Sequence, residues 1–158
     1  MDFSVKLEGL DRLAGKSKLV SQIAQQELKK ALLASGLMVE KAAKESIAGG
    51  GKTGKVYRRG GRTHQASAPG EAPATDTGRL VNSINVRLAD GDTAAEVAAG
   101  SGAVKYARML EHGTSRMEAR PFLFPALEQS KPKIKARMEA ALDKTIDRAA
   151  KQGVESLG

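Results

Sequence analysis

The strongest constraint on the fold is a long run of helix-spaced apolar residues that ends at three consecutive glycines. Gly49-Gly50-Gly51 predicts the end of a helix, because glycine loses the most backbone entropy when it is held in helical conformation. The spacing predicts one amphipathic helix over residues 17–47. The apolar positions at steps of three or four residues are Val20, Ile23, Ala24, Leu28, Ala31, Met38, Ala42 and Ile47.

The last third of the chain repeats this pattern and predicts a second long helix. Pro132 lies within it and is expected to kink or restart the helix, because proline lacks an amide donor and clashes with the preceding turn. The apolar positions are Phe122, Leu123, Leu127, Ile134, Met138, Ala141, Leu142, Ile146 and Ala149.

Short strands are predicted where apolar and polar residues alternate. Residues 3–7 show this pattern, and so do residues 84–88, which Asp90-Gly91-Asp92 and a returning strand over 93–99 extend into a hairpin. The fold class is therefore α+β, a small antiparallel β-sheet packed with two long α-helices, in one domain spanning residues 1–158.

Two further local features are predicted between these elements. Asp76 or Thr77 is expected to cap a short helical turn that carries Leu80 and Val81. Residues 105–112 are expected to form a short helix that ends at Gly113.

Composition limits the chemistry that the chain can perform. The 158 residues contain no Cys, so disulfides, thiol catalysis and Cys-ligated metals are excluded. We find no apolar run long enough to span a membrane and no signal-peptide pattern at the start, so the protein is expected to be cytosolic when made. The net charge of +8 favours nucleic acid or acidic protein surfaces as partners.

Part of this positive charge is concentrated in residues 49–75, a stretch rich in Gly, Pro, Ser, Thr and Ala. It is predicted to be a long mobile loop, because it has almost no apolar anchors. No acidic residue precedes Glu71 in it. Either it contacts an assembly neighbour or DNA, or it is a solvated loop that only aids solubility. The contact residues would be Lys52, Lys55, Tyr57, Arg58, Arg59 and Arg62.

Several motifs resemble catalytic or ligand sites but lack the required context. Gly51-Lys52-Thr53 ends like a phosphate-binding loop, yet a helix precedes it and a loop follows. Asp76-Thr77-Gly78 matches the aspartic protease tripeptide but follows a turn-rich segment. His64 and His112 are the only histidines, too few for a zinc site. We predict no catalytic residues, no metal and no cofactor.

Two blocks of sequence resemble a known family. The first contains Tyr106-Ala107, Leu110-Glu111-His112-Gly113-Thr114 and Arg120-Pro121-Phe122-Leu123-Phe124-Pro125-Ala126. The second contains Thr53-Gly54-Lys55-Val56-Tyr57, Ser67 to Ala74, Thr77-Gly78-Arg79-Leu80 and Ser83-Ile84. Together they resemble the tail-component family of lambdoid-type siphophages, also described as neck or tail-completion proteins.

The resemblance implies a non-enzymatic virion protein at the head–tail junction, similar in architecture to tail terminators. It implies either a subunit of a homo-oligomeric ring, which the prediction favours, or a plug. The neck and tail partners would be the tail terminator, the head-closure or connector protein, and the end of the tape measure. Contact with phage DNA is also compatible with it. The signature residues are Tyr106, Glu111, Gly113, Thr114, Arg120, Pro121, Phe122 and Pro125.

Two alternatives remain open at this point. The signature block is either a determinant of the fold, with Phe122 and Phe124 holding the C-terminal helix on the sheet, or a subunit contact. The alternative function is a free nucleic-acid-binding module that uses the basic residues 52–62.

Overall fold

Two long helices and two short β-hairpins account for most of residues 18–100 and 104–155, which the computed structural model describes. The predicted strand over residues 3–7 lies outside the described residues. The elements are α1 (Lys18–Gly49), β1 (Val56–Arg59), β2 (Arg62–Gln65), α2 (Arg79–Ser83), β3 (Asn85–Ala89), β4 (Ala94–Ala98), α3 (Ala107–His112) and α4 (Leu123–Glu155). The α+β fold class is confirmed, with two two-stranded sheets, β1–β2 and β3–β4, in place of one.

The described residues divide into two compact units. The first unit contains residues 37–86 and 97–130, and the second contains residues 18–36, 87–96 and 131–155. The single domain expected from chain length stays a prediction. Neither long helix has an 18-residue stretch apolar enough to cross a membrane.

The core of the first unit contains side chains from most of its elements. Phe122 is 1% exposed and is the largest fully buried side chain among the described residues. The other buried apolar side chains of the unit come from α1, α2, β4, α3, the start of α4 and residues next to these elements. They are Val39, Ala43, Ile47, Leu80, Ile84, Val97, Val104, Ala107, Leu123 and Ala126.

The second unit combines a small apolar core with one buried carboxylate. Its buried apolar side chains include Leu32, Ala95, Ile134 and Met138. Glu27 is also buried, and its Oε1 accepts hydrogen bonds from Arg148 at 2.5 Å and Lys30 at 3.2 Å. Burial raises the Glu27 pKa, but Lys30 and Arg148 outweigh it and leave the pKa below the ordinary 4.5. The ion pair therefore compensates for the desolvation of the carboxylate.

The predicted hairpin over residues 84–99 is confirmed as β3–β4. Its turn contains Asp90, Gly91 and Asp92, with φ angles of 51°, 65° and 69°. Aspartate and glycine tolerate this left-handed region better than most residues do. The Thr93 hydroxyl and amide both donate to the Asp90 carbonyl, which closes the turn.

Three predictions about helix ends can now be judged. The long N-terminal helix ends at Gly49 and α3 ends at His112 before Gly113, as predicted. Capping by Asp76 or Thr77 is wrong, because Gly78 occupies the N-cap of α2 and no side chain bonds there. Both side chains lie one or two residues too early in the chain to reach the first amides of the helix.

The helix does not restart at Pro132, since α4 is continuous from Leu123 to Glu155, and a kink there stays a prediction. Pro132 is exposed, so water can satisfy the carbonyl that would have received its amide. In α1 the predicted core positions Ile23, Ala24, Ala31 and Ile47 are buried, whereas Leu28, Met38 and Ala42 are only half-buried. Leu32 and Val39 are buried in addition. In α4, Ile146 is 56% exposed and does not belong to the core.

Candidate assembly surface

The basic segment predicted as a loop contains an antiparallel hairpin, which corrects that prediction for residues 56–65. Strands β1 and β2 pair Val56 with Gln65, Tyr57 with His64, Arg58 with Thr63 and Arg59 with Arg62. Gly60 and Gly61 form the turn with φ angles of 53° and 78°. Two successive residues with positive φ define the turn that best matches strand twist, and glycine adopts it without strain.

The base of this hairpin is held by two further backbone hydrogen bonds between the residues that flank its strands. Gly54 N–H donates to the Ala66 carbonyl at 2.9 Å, and Ala66 N–H donates to the Lys55 carbonyl at 3.0 Å. A Cβ on Gly54 would lie 2.5 Å from the Ser67 carbonyl oxygen, so only glycine permits this approach. A two-stranded hairpin is marginal alone, and these contacts supply the support it needs.

Glu71 forms the second anchor. Its carboxylate accepts hydrogen bonds from the Thr53 hydroxyl at 2.6 Å, the Ala68 amide at 2.7 Å and the Thr53 amide at 3.3 Å. The Thr53 hydroxyl bond and the Ala68 amide bond lower the pKa of Glu71 below its ordinary 4.5, despite the opposing effect of partial desolvation. The ionised carboxylate therefore ties the start of the hairpin to the segment that follows it.

We call β1–β2, together with Lys52 and Lys55 at its base, the cationic hairpin. All five of its cations are exposed, and none forms an ion pair with another described residue. Arg59 and Arg62 face each other across the ladder, where like charges are destabilising. The cationic hairpin thus presents positive charge that the described part of the chain leaves uncompensated. The five cations are Lys52, Lys55, Arg58, Arg59 and Arg62.

The signature block is organised around Glu111, which is 6% exposed. Its carboxylate accepts the amides of Phe122 at 3.0 Å, Leu123 at 3.0 Å and Phe124 at 2.9 Å, an arrangement we call the Glu111 clasp. Helix α4 begins at Leu123, so these are three of the four amides that a helix start leaves unsatisfied. The fourth position is Pro125, which has no amide. The clasp therefore completes the start of α4, and its negative charge favours the positive end of the helix dipole.

The other signature residues hold the connection between α3 and α4. Gly113 has φ 74°, and a Cβ there would lie 2.8 Å from the Met117 carbonyl oxygen. Thr114 pairs with Met117 in a tight turn. Arg120 N–H donates to the Leu110 carbonyl at 2.6 Å, and Arg120 Nε donates to the Ser67 carbonyl at 3.3 Å.

The two signature aromatics of the α4 start have different environments. Phe122 is buried, as predicted, whereas Phe124 is 56% exposed and does not hold the helix in the core. Helical geometry explains the difference, because residues two positions apart lie on different sides of a helix. Tyr106, at the start of α3, is 41% exposed.

A cleft of about 360 Å³ lies within the first unit, beside the cationic hairpin. Tyr57 and His64 line it from the hairpin, and Tyr106, Leu110 and Arg120 line it from α3 and the segment before α4. The remaining lining comes from Ala66, Ser67 and residues 73–80. Sequence reasoning missed this cleft, because its walls come from separate segments, with Tyr57 and His64 more than forty residues from Tyr106.

The motifs that resemble catalytic sites have ordinary structural surroundings. Thr53 of the Gly-Lys-Thr tripeptide bonds to Glu71, and the tripeptide does not precede a helix. Asp76 is exposed on the edge of the cleft, and His64 is half-buried in β2. Within residues 18–100 and 104–155 no group of three or more His, Asp or Glu side chains could hold a metal ion.

Comparison with known proteins identifies a family. The sequence model of the family described as "Bacteriophage HK97-gp10, putative tail-component" matches residues 11–113, well over half of the chain. The chain belongs to this family of phage tail components, and the predicted resemblance is confirmed. The match includes the cationic hairpin and Glu111 but ends before Arg120. No curated protein and no solved structure matches the chain.

Proposed function

We propose that this chain is a structural, non-enzymatic protein of the head–tail junction that completes the tail and joins it to the head. Its membership of a phage tail-component family is the observation that carries the proposal. It assembles as a ring with neck and tail proteins: the tail terminator, the head-closure or connector protein, and the end of the tape measure. The protein is assembled in the host cytoplasm and stays in the virion.

The cationic hairpin supports this proposal as a contact element. Its charges are exposed and have no partner among the described residues, whereas its base is fixed by Glu71 and backbone bonds. In a ring every subunit contributes the same hairpin, so the positive charge repeats around the axis. Such a collar would attract acidic surfaces of the adjoining layer or the DNA that passes through it.

The absence of an enzymatic role is supported by the use of the one buried signature carboxylate. Glu111 is fully engaged by three backbone amides at the start of α4. Leaving these amides without an acceptor would cost roughly 1–3 kcal/mol each, so a proton-transfer role for Glu111 would conflict with its structural one.

Complementation of a phage that lacks this gene tests the proposal. We expect unjoined heads and tails without the protein, and infectious particles when the wild-type chain is supplied. A hairpin variant with Lys55→Ala, Arg58→Ala, Arg59→Ala and Arg62→Ala should fail to restore joining. A control with Lys133→Ala, Lys135→Ala, Arg137→Ala and Lys144→Ala removes the same charge from exposed positions of α4 and should restore it.

Localisation provides the second part of the test. Electron microscopy of complete particles should place the chain between head and tail, and native mass spectrometry should detect its complexes with tail proteins. A chain absent from the virion, or a strict monomer that ignores tail proteins, contradicts the proposal.

A free nucleic-acid-binding module is the second candidate, and the uncompensated charge of the cationic hairpin favours it. It requires binding to duplex DNA with micromolar or tighter affinity at moderate salt, with log affinity falling steeply as salt rises. The four-alanine hairpin variant should abolish that binding. If no binding is detected at low salt, this candidate is excluded.

A further inference from the structure

We propose that the cleft beside the cationic hairpin binds an extended, acidic segment of a different virion protein, a segment that also carries an aromatic or large apolar side chain. The identity of that partner as a virion protein rests on the proposed function. The recognition chemistry rests on the shape, charge and aromatic lining of the cleft.

The cleft is formed before any partner arrives, because its walls are hydrogen-bonded to one another. Arg120 joins the segment before α4 to Leu110 of α3 and to Ser67 after the hairpin. Gly70 N–H adds a bond to the Ala119 carbonyl at 3.0 Å. A partner therefore does not have to meet the cost of ordering these walls, which favours binding.

Positive charge dominates the cleft and its rim. Arg79 and Arg120 line it, against the single carboxylate of Asp76. The β1–β2 register places Arg59 and Arg62 on the same strand face as Tyr57 and His64, so the positive charge continues toward the hairpin turn. Guanidinium groups bind carboxylates through paired hydrogen bonds, which makes an acidic segment the complementary ligand.

The aromatic lining of the cleft indicates that the acidic segment also carries an aromatic or large apolar side chain. Tyr57 is 54% exposed and Tyr106 is 41% exposed, and neither side chain hydrogen-bonds to another described residue. Leu80 and Leu110 supply apolar surface beside them. Exposed tyrosines next to arginines are typical of protein contact sites, where the ring packs on an apolar side chain and the hydroxyl bonds to polar groups.

A protein segment fits this cleft better than a nucleic acid does. Asp76 lies on the lining, where its carboxylate can accept an amide N–H of a peptide, a donor that the phosphate backbone of a nucleic acid lacks. The volume of about 360 Å³ is at the lower end of the ~300–1,000 Å³ usual for ligand sites, so it suits the side chains of a short segment.

Photo-crosslinking in assembled particles tests the inference. A diazirine amino acid at Tyr106 reports on the cleft, and the same amino acid at Met109 is the control. Met109 lies on the same helix and is 54% exposed, but it does not line the cleft. We expect irradiation to join position 106, and not position 109, to an acidic segment of another virion protein, identified by mass spectrometry.

Charge reversal adds a second readout. Arg79→Glu should lower the crosslinking yield at position 106 on the order of tenfold, the effect of losing about one charged hydrogen-bonded pair. Arg116→Glu reverses an exposed charge that does not line the cleft and should leave the yield unchanged. Thermal unfolding of each variant establishes that it is folded before it is assembled.

Four outcomes overturn the inference: equal yields at positions 106 and 109, a product with DNA, a product between two copies of this chain, or a partner segment without carboxylates. An unchanged yield with Arg79→Glu also overturns the charge argument. These failures are distinct from failure of the proposed function, because particles that contain the chain at the junction but give no product contradict only the cleft assignment.

Discussion

The charge of the Glu111 clasp and the charges of the cationic hairpin lie in opposite environments. The carboxylate of Glu111 is buried and accepts three amides, whereas the five cations of the hairpin are exposed and unpaired among the described residues. A charge satisfied within the chain stabilises the fold, and a charge left unsatisfied is available to a neighbour. The comparison separates the residues that build the protein from those that we propose connect it to the virion.

The largest expected effect on stability is at the start of α4, where the Glu111 clasp lies. Phe122→Ala should reduce the free energy of unfolding by roughly 3–5 kcal/mol, because among the described residues it removes the largest fully buried side chain. Phe124→Ala, two residues on and 56% exposed, is the matched control and should change it by less than about 0.5 kcal/mol. Chemical denaturation measures both, and a loss under ~1 kcal/mol for Phe122→Ala would show that Phe122 is not a core residue.

The clasp itself is tested by Glu111→Gln. The glutamine side chain has one acceptor oxygen and no charge. The three backbone amides would therefore lose part of their hydrogen bonding, and the helix dipole would lose its stabilising negative charge. We expect a loss of about 2–3 kcal/mol in the free energy of unfolding. Glu118→Gln removes an exposed carboxylate nearby and should have little effect. Equal losses for the two variants would contradict the capping role of Glu111.

The anchor of the hairpin should respond to pH. Because hydrogen bonds hold the pKa of Glu71 below 4.5, its ionised form stabilises the hairpin base at pH values above 4.5. This stabilisation is lost as pH falls through the lowered pKa. The protection factors of the Gly54 and Ala66 amides, which correct for the intrinsic slowing of amide exchange in acid, should therefore fall in acid, and Glu71→Gln should lower them at neutral pH as well. Exchange in that variant as slow as in the wild type at neutral pH would rule out Glu71 as the anchor.

The smallest expected effect on stability comes from the hairpin cations. The variant with Lys55, Arg58, Arg59 and Arg62 changed to Ala should differ from wild type by less than about 0.5 kcal/mol per site, because these side chains are exposed and unpaired among the described residues. Relief of the Arg59–Arg62 repulsion should even offset part of the loss. A large destabilisation in urea denaturation would show that the hairpin cations stabilise the fold, as Glu111 does.

Periodicity was sufficient to predict the helices and the β3–β4 hairpin, because these depend on local spacing. The cationic hairpin was missed although its signal is local: Gly60-Gly61 separates two four-residue runs, a spacing typical of a tight hairpin turn. The polar and glycine-rich composition of residues 49–75 favoured a loop, and no buried strand face contradicted it. Anchoring by Glu71 is what allows so polar a hairpin to form.

The Glu111 clasp is a contact that the spacing of residues could not predict. The resemblance identified Glu111 and the Arg120–Pro125 block, but no periodic rule connects a carboxylate to amides eleven to thirteen residues later. Family resemblance likewise named Phe122 and Phe124 together, and only the position of the helix start separates the buried ring from the exposed one. The cleft depends on contacts between distant segments and has no counterpart in local sequence.

The clasp also limits where a negatively charged ligand can bind. A helix start normally attracts phosphate or sulfate, because its free amides and dipole act together. In α4 Glu111 already fills that role, and Pro125 contributes no amide at all. An incoming anion would meet a carboxylate there and be repelled, so the start of α4 is closed to anionic partners, in contrast to the arginine and lysine side chains of the cationic hairpin.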